Sequence, residues 1–156
     1  MPIIDLLELP TTAPARTPVM GLDLGEKTIG VAVSDRDRMV ASPLELILKT
    51  RFTRDAERLF RLMDEREAVA VVVGLPVNMD GTEGPRCQSV RAFARNLLRL
   101  RDPAIAFWDE RLSTAAVQRM LTSEADLSRA RRDQLVDKAA AAWILQGALD
   151  RLAFAR

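Results

Sequence analysis

Three carboxylates frame what this chain can do. Asp23 stands in Gly21-Leu22-Asp23-Leu24-Gly25, Glu110 in Trp108-Asp109-Glu110-Arg111, and Asp137 in Val136-Asp137-Lys138 ahead of an alanine run. The chain has no histidine and no tyrosine. Serine–histidine or cysteine–histidine nucleophilic catalysis, histidine general-base chemistry and histidine metal sites are therefore all excluded. Any catalyst must work with carboxylates, Lys, Arg, Ser or Thr. Oxygen-only ligands favour hard ions, so Mg2+ or Mn2+ is the expected cofactor if a metal binds. Three acids from separated elements suit two-metal phosphodiester cleavage, in which carboxylates bridge two cations about 4 Å apart that activate water and steady the leaving oxygen.

Each acid has a structural alternative. On a strand, Gly21, Asp23 and Gly25 share one face while Met20, Leu22 and Leu24 point the other way. Glycines beside Asp23 remove side-chain bulk where a phosphate or metal would approach; the alternative is a strand-end Asp that bonds turn amides. On a helix, Asp137 has Ala140, Ala141, Ile144 and Ala148 at i+3, i+4, i+7 and i+11, which puts it on the buried face. Burying a lone carboxylate is costly, so a cation or an arginine partner is expected there. Glu110 lies just past a strand, at the sheet edge where open α/β sheets bind ligands. Asp109 competes for its role, and Arg111 offers either an ion pair or a phosphate contact.

The elements that must position these acids follow from patterning. Val19 to Gly25 and Thr28 to Ser34 read as a strand and its hairpin partner, with a third strand near Met39 to Leu48. Thr53 is placed to cap a helix in which Ala56, Leu59, Phe60 and Met63 recur at helical spacing, ending near Glu67. Val69 to Gly74 is a continuous apolar run, as expected of a parallel strand buried on both faces. A helix from about Arg86 to Arg101 leads into a strand from Ala104 to Trp108. Helices over about 113–122 and 128–153 close the chain. This order predicts a mixed α/β layer architecture rather than a doubly wound nucleotide fold. Residues 1–17, with Pro2, Pro10 and Pro14, read as a flexible extension ahead of a single domain over 18–156.

Between strand and helix, Leu75 to Pro85 form a loop rich in Gly, Pro, Asn and Asp. Its helix start could hold a phosphate, although no Gly-Lys-Ser or Gly-Lys-Thr is present. Asn78, Asp80 and Thr82 either order this loop or touch substrate. In the following helix Arg91, Arg95 and Arg99 share a face, with Arg86 and Arg101 near its ends and no acid between Glu83 and Asp102. Arg129, Arg131 and Arg132 make a second cluster just before Asp137. Both clusters read as unpaired positive charge suited to a polyanion, the alternative being solvated faces. Aromatic content of 4% makes base stacking unsuited as the main recognition mode.

Composition bounds the rest. The chain's 156 residues, 48% hydrophobic and 29% charged, fit one domain with an adequate core, and the net charge of +1 says nothing about partners. No run reaches the roughly 18 apolar residues of a membrane span, and the start lacks the order of a signal peptide. A lone cysteine, Cys87, excludes an internal disulfide. The expected location is the cytoplasm, away from membranes.

Four runs, residues 21–35, 74–84, 108–114 and 136–141, together resemble the YqgF family of pre-16S rRNA nucleases and Holliday-junction-resolvase-like proteins. The likeness spans about residues 18–152. It implies a ribonuclease H-like fold with a five-stranded mixed sheet in the order 3-2-1-4-5, Asp23, Glu110 and Asp137 as catalytic acids and metal ligands, and processing of the 5′ end of precursor 16S rRNA. Asn78, Thr82, Arg86, Arg91, Arg95, Arg111, Arg132 and Lys138 are then the candidate substrate contacts. Lys138 departs from the small residue common in the family and would either compete with metal or contact phosphate. In such a sheet the strand ending at Trp108 lies two positions, about 9 to 10 Å, from the first strand. Glu110 must lean inward or reach through a second metal.

Three rivals remain open. The actin-like ATPase and sugar-kinase fold shares the Gly-Leu-Asp-Leu-Gly hairpin but needs two such domains. A four-way DNA junction would be cut by the same chemistry, and its symmetry would call for a homodimer. A noncatalytic RNA-binding assembly factor would keep the fold without cutting.

Overall fold

The structure is a computed structural model that describes residues 3–112 and 129–155, with side chains described for 3–111 and 139–155. In chain order the elements are β1 (Ile3–Ile4), α1 (Leu9–Thr12), β2 (Val19–Leu24), β3 (Thr28–Ser34), β4 (Ala41–Leu48), α2 (Phe52–Arg66), β5 (Ala70–Leu75), α3 (Pro85–Leu100), β6 (Ala104–Asp109) and α4 (Arg129–Phe154). The helix expected over 113–122 lies outside the described residues. No described helix is long and apolar enough to cross a membrane.

The six strands form one sheet in the order β1-β6-β5-β2-β3-β4. β2, β3 and β4 pair antiparallel, whereas β2, β5 and β6 run parallel. The five expected strands stand in the expected order, and the sixth corrects the count. Ile3 and Ile4 pair in parallel with Ile105 and Ala106 of β6.

That pairing ties residues 3–4 to the sheet, and the residues that follow, up to 17, also contact the body of the domain. Leu9 is fully buried and Ala13 nearly so, both inside a core cluster shared with α4. A buried arginine ties the segment down. Arg38 donates from Nε to the Thr17 carbonyl at 2.9 Å, and from Nη2 to the Pro14 carbonyl at 2.6 Å and to Thr17 Oγ1 at 2.9 Å. Removing the buried guanidinium takes three charge-assisted bonds from these part-buried acceptors, so Arg38→Ala is expected to cost about 2 kcal/mol. A lowered denaturant midpoint with faster proteolysis before residue 18 would show it.

Strand alternation divides the core into two layers. Met20, Leu22 and Leu24 of β2 join Val71, Val73 and Leu75 of β5 against α2 and α3. Ala32, Ala70, Val72 and Ala104 face α4, which answers with Ala141, Ile144, Leu145 and Ala148. Small residues on both surfaces bring α4 close to the sheet. On α2, Ala56, Leu59, Phe60 and Met63 are all buried, as the helical spacing predicts. Its start differs from expectation: Thr53 is not the cap, and Arg51 holds that position without a side-chain bond. Instead the buried Asp55 carboxylate accepts from Thr50 N at 3.2 Å and Oγ1 at 3.0 Å.

Candidate active site

Asp23 and Glu110 meet across an intervening strand. Asp23 is on β2, half-buried, on the face of Gly21. Glu110 opens a 3-10 turn, Glu110–Leu112, immediately after β6. β5 lies between them, and there Gly74, in register with Trp108, leaves the space that Glu110 occupies. A Cβ on Gly74 would stand 2.6 Å from Glu110 Oε1 and 3.0 Å from its Cγ. Glu110 thus leans inward over a glycine and shares a hydrogen bond with Asp23. No second metal is needed to bridge the width of the sheet.

Two carboxyl groups sharing a bond need a proton between them. Burial first, then the charge of Asp23 and the bond to it, push the Glu110 carboxyl up to about 7, while Arg86 opposes the shift. Because the folded value exceeds the unfolded one, folded Glu110 keeps a proton that the unfolded chain has lost between about pH 4.5 and 7. Stability is therefore full below that window and falls as pH rises through it. Allowing for Glu110's partial solvent contact, the expected loss from pH 5 to 8 is roughly 1 to 2 kcal/mol. Denaturant titrations of the wild type and Glu110→Gln should show that excess loss in the wild type alone.

Asp109 is drawn away from this pair. Its carboxylate accepts from Arg111 Nε at 3.0 and 3.1 Å, Nη2 at 2.6 Å and the Arg111 amide at 3.0 Å. The guanidinium holds the Asp109 carboxyl below the usual carboxylate range. The neighbouring acids therefore do different work: Asp109 fixes Arg111, and Glu110 meets Asp23. Among the described residues no cluster of three acids, cysteines or histidines forms. Residue 137 stands on α4 one turn before Ala141, the residue whose carbonyl would lie 3.2 Å from a Cβ on Gly21. The side chains of Asp137, Lys138, Arg129, Arg131 and Arg132 lie outside those described.

Gly21 corrects one inference from the sequence. A Cβ there would fall 2.7 Å from Leu145 Cβ, so this glycine admits helix α4 rather than a ligand. Gly25 serves the hairpin, its amide donating to the Thr28 carbonyl at 2.9 Å.

The loop of residues 76–84 is held by its own polar side chains. Asn78 Nδ2 donates to Thr82 Oγ1 at 3.0 Å, and Thr82 donates to Asp80 Oδ1 from its amide at 3.0 Å and its hydroxyl at 2.6 Å. The Asn78 amide reaches the Thr82 carbonyl at 2.9 Å. Arg111 Nη1 lies 3.4 Å from the carbonyls of both Asn78 and Met79, linking this loop to the turn that carries Glu110. Asn78 and Thr82 therefore order the loop, and Arg111 clamps it.

The strip of free positive charge on α3 is also corrected. Arg91 is engaged by Glu83 through two bonds, 2.7 and 2.8 Å, and lies 4.9 Å over the Phe107 ring. Arg101 binds Asp64 at 2.8 and 3.1 Å and covers Phe60. Arg86, Arg95 and Arg99 are exposed. Of these, Arg86 is electrostatically felt at Glu110. The sequence reading missed Gly74 as the seat of Glu110; the register of β5 against β6 reveals it.

Comparison with known proteins bears on the family and the fold. A family model, RuvX, described as Holliday junction resolvase, matches residues 17–151. A protein of Phenylobacterium zucineum named "Putative pre-16S rRNA nuclease" is 72% identical over 97% of this chain and 98% of its own length. A Caulobacter vibrioides protein of the same name is 66% identical with the same coverage. Among solved structures, Thermus thermophilus RuvC in complex with Holliday junction substrate aligns with a TM-score of 0.54 at 17% identity, covering 87% of this chain and 96% of that one. The yeast mitochondrial Holliday junction resolvase Ydc2 aligns at 0.50 and 12% identity, over 95% of this chain and 88% of that one. These likenesses are of fold. Resolvase-like topology, the family match and near-full-length identity place the chain in the RuvX family, nucleases of the ribonuclease H-like fold to which the YqgF motifs also point.

Proposed function

We propose that this chain is a divalent-metal-dependent endonuclease that processes the 5′ end of precursor 16S rRNA in the cytoplasm, with Asp23, Glu110 and Asp137 as its catalytic carboxylates. The observation that carries the reading is the meeting of Glu110 and Asp23 over Gly74. The donor set fits a hard cation: oxygen ligands only, one of them raised by burial and by the charge of its neighbour, a penalty that Mg2+ or Mn2+ would relieve. Such a cation, when bound, would activate water and steady the leaving oxygen.

The chain's own residues do the rest. Asp23 and Glu110 supply paired carboxyl oxygens at the C-terminal sheet edge, and Asp137 would complete the set from α4. Arg86 and Arg95, with Arg132 and Lys138, are the proposed contacts to the substrate backbone, which they hold by charge rather than by sequence. Asn78, Thr82, Arg91 and Arg111 act indirectly, by shaping the loop and rim. The description of the family keeps one second reading, cleavage of four-way DNA junctions by a homodimer. Purified protein should be given 5′-extended 16S precursor RNA and a matched four-way junction, with Mg2+ or Mn2+ and with Asp23→Asn as control. Metal-dependent product from the RNA alone is expected. Product from the junction alone would overturn the RNA assignment, and none from either would return the chain to a noncatalytic binding role.

A further inference from the structure

A cleft separate from the acid pair opens at the same sheet edge, on the opposite face. It encloses about 260 Å³ between the β2–β3 turn, the end of β4 and the first turns of α3. Leu24, Val90 and Phe93 make an apolar floor, and Lys49, Arg86 and Ser89 stand on its rim. Phe93 is held in place by an edge-to-face contact with Phe52, centroids 5.3 Å apart at 85°. Leu24 follows Asp23 directly, so strand alternation sends these two side chains to opposite faces of one strand end. Arg86 lines the cleft and is also felt at Glu110.

We infer that this cleft binds one unpaired nucleotide of the RNA strand, next to the phosphate presented to Asp23 and Glu110. This inference rests on the proposed nuclease reading and assigns a subsite to it. The volume falls below the roughly 300 to 1,000 Å³ of drug-sized ligand sites, which suits a single ring system and excludes a stacked base pair. An apolar floor with a fixed aromatic edge serves a base, whereas two cations from separate elements serve the phosphates on either side. A free anion would gain nothing from the floor, and Glu26 on the rim disfavours one. The strand would cross the sheet edge, its scissile phosphate on one face and its neighbouring base on the other.

Ser89→Trp fills the cleft from an exposed helix position, and Lys49→Glu reverses the charge on its rim; neither touches the acids. Each should raise KM for single-stranded RNA by roughly tenfold with kcat within twofold, the scale of one lost base contact. Replacing the flanking nucleotide by an abasic one should weaken the wild type by a similar factor and leave Ser89→Trp unchanged. Wild-type kinetics in both variants, with metal-dependent cleavage intact, would overturn the cleft while the nuclease reading stands. If the wild type cuts nothing, fluorescence anisotropy of a labelled single-stranded RNA on the Asp23→Asn protein tests the cleft by itself. A tenfold loss on adding Ser89→Trp supports it, and equal affinity, or a loss seen only with single-stranded DNA, overturns it.

Discussion

Asp23→Asn is expected to lower metal-dependent cleavage by about a thousandfold or more while leaving the fold as stable as the wild type, or more so above pH 7. The first half follows from charge. A carboxylate that helps hold a cation contributes several kcal/mol to the transition state, and about 4 kcal/mol corresponds to three decades of rate. The second half follows from the neighbour. Asp23 pushes Glu110 up through its charge and through their shared bond. An amide at position 23 removes the charge and can donate to the Glu110 carboxylate instead, so the part of the upward push that Asp23 supplies is lifted, burial's part stays, and the penalty at neutral pH shrinks. Activity and stability thus move in opposite directions, which a purely structural acid would not produce. In the wild type, millimolar Mg2+ or Mn2+ should raise the melting temperature by ligand linkage, and the Asn variant should lose most of that rise. Cleavage within twofold of wild type would remove Asp23 from the catalytic centre.

The parts of this site that were legible in the sequence are those set by local pattern. β3 has the bounds that alternation predicts, because Ile29 and Val31 face one layer and Ala32 the other. Buried strand β5 declares itself through an apolar run with no polar interruption. What escaped depends on contacts between distant segments. A two-residue strand such as Ile3–Ile4 has no period to read, and the prolines around it argue for disorder until β6 supplies its partner. The Glu83–Arg91 pair spans eight residues through a helix start, outside the i, i+4 rule that made the arginine face look free. Glu110 could be named from its motif but not oriented, since its direction depends on which residue of β5 lies beneath it.

That residue is Gly74, and its substitution separates packing from placement. At Gly21, an added Cβ would strike Leu145 Cβ at 2.7 Å and the Ala141 carbonyl at 3.2 Å, atoms that move only if α4 moves. Gly21→Ala should therefore cost about 3 kcal/mol and disturb the whole α4 face. At Gly74 the obstacles are Ile144 Cδ1 at 2.5 Å and Glu110 Oε1 at 2.6 Å, the far ends of rotatable side chains. Gly74→Ala should cost only about 1 kcal/mol, because those ends swing aside without shifting backbone. Swinging aside takes Glu110 off Asp23, however, and a displacement of about 1 Å in a positioned group lowers rate by roughly a hundredfold. The variant should also show a shallower decline in stability between pH 5 and 8, since the part of the Glu110 shift set by the Asp23 charge is lost. A folded Gly74→Ala protein with wild-type cleavage and an unchanged pH profile would mean that the meeting of the two acids is incidental. Low activity in a stable protein with a flattened profile would identify the glycine as what allows β6 to deliver its acid to β2.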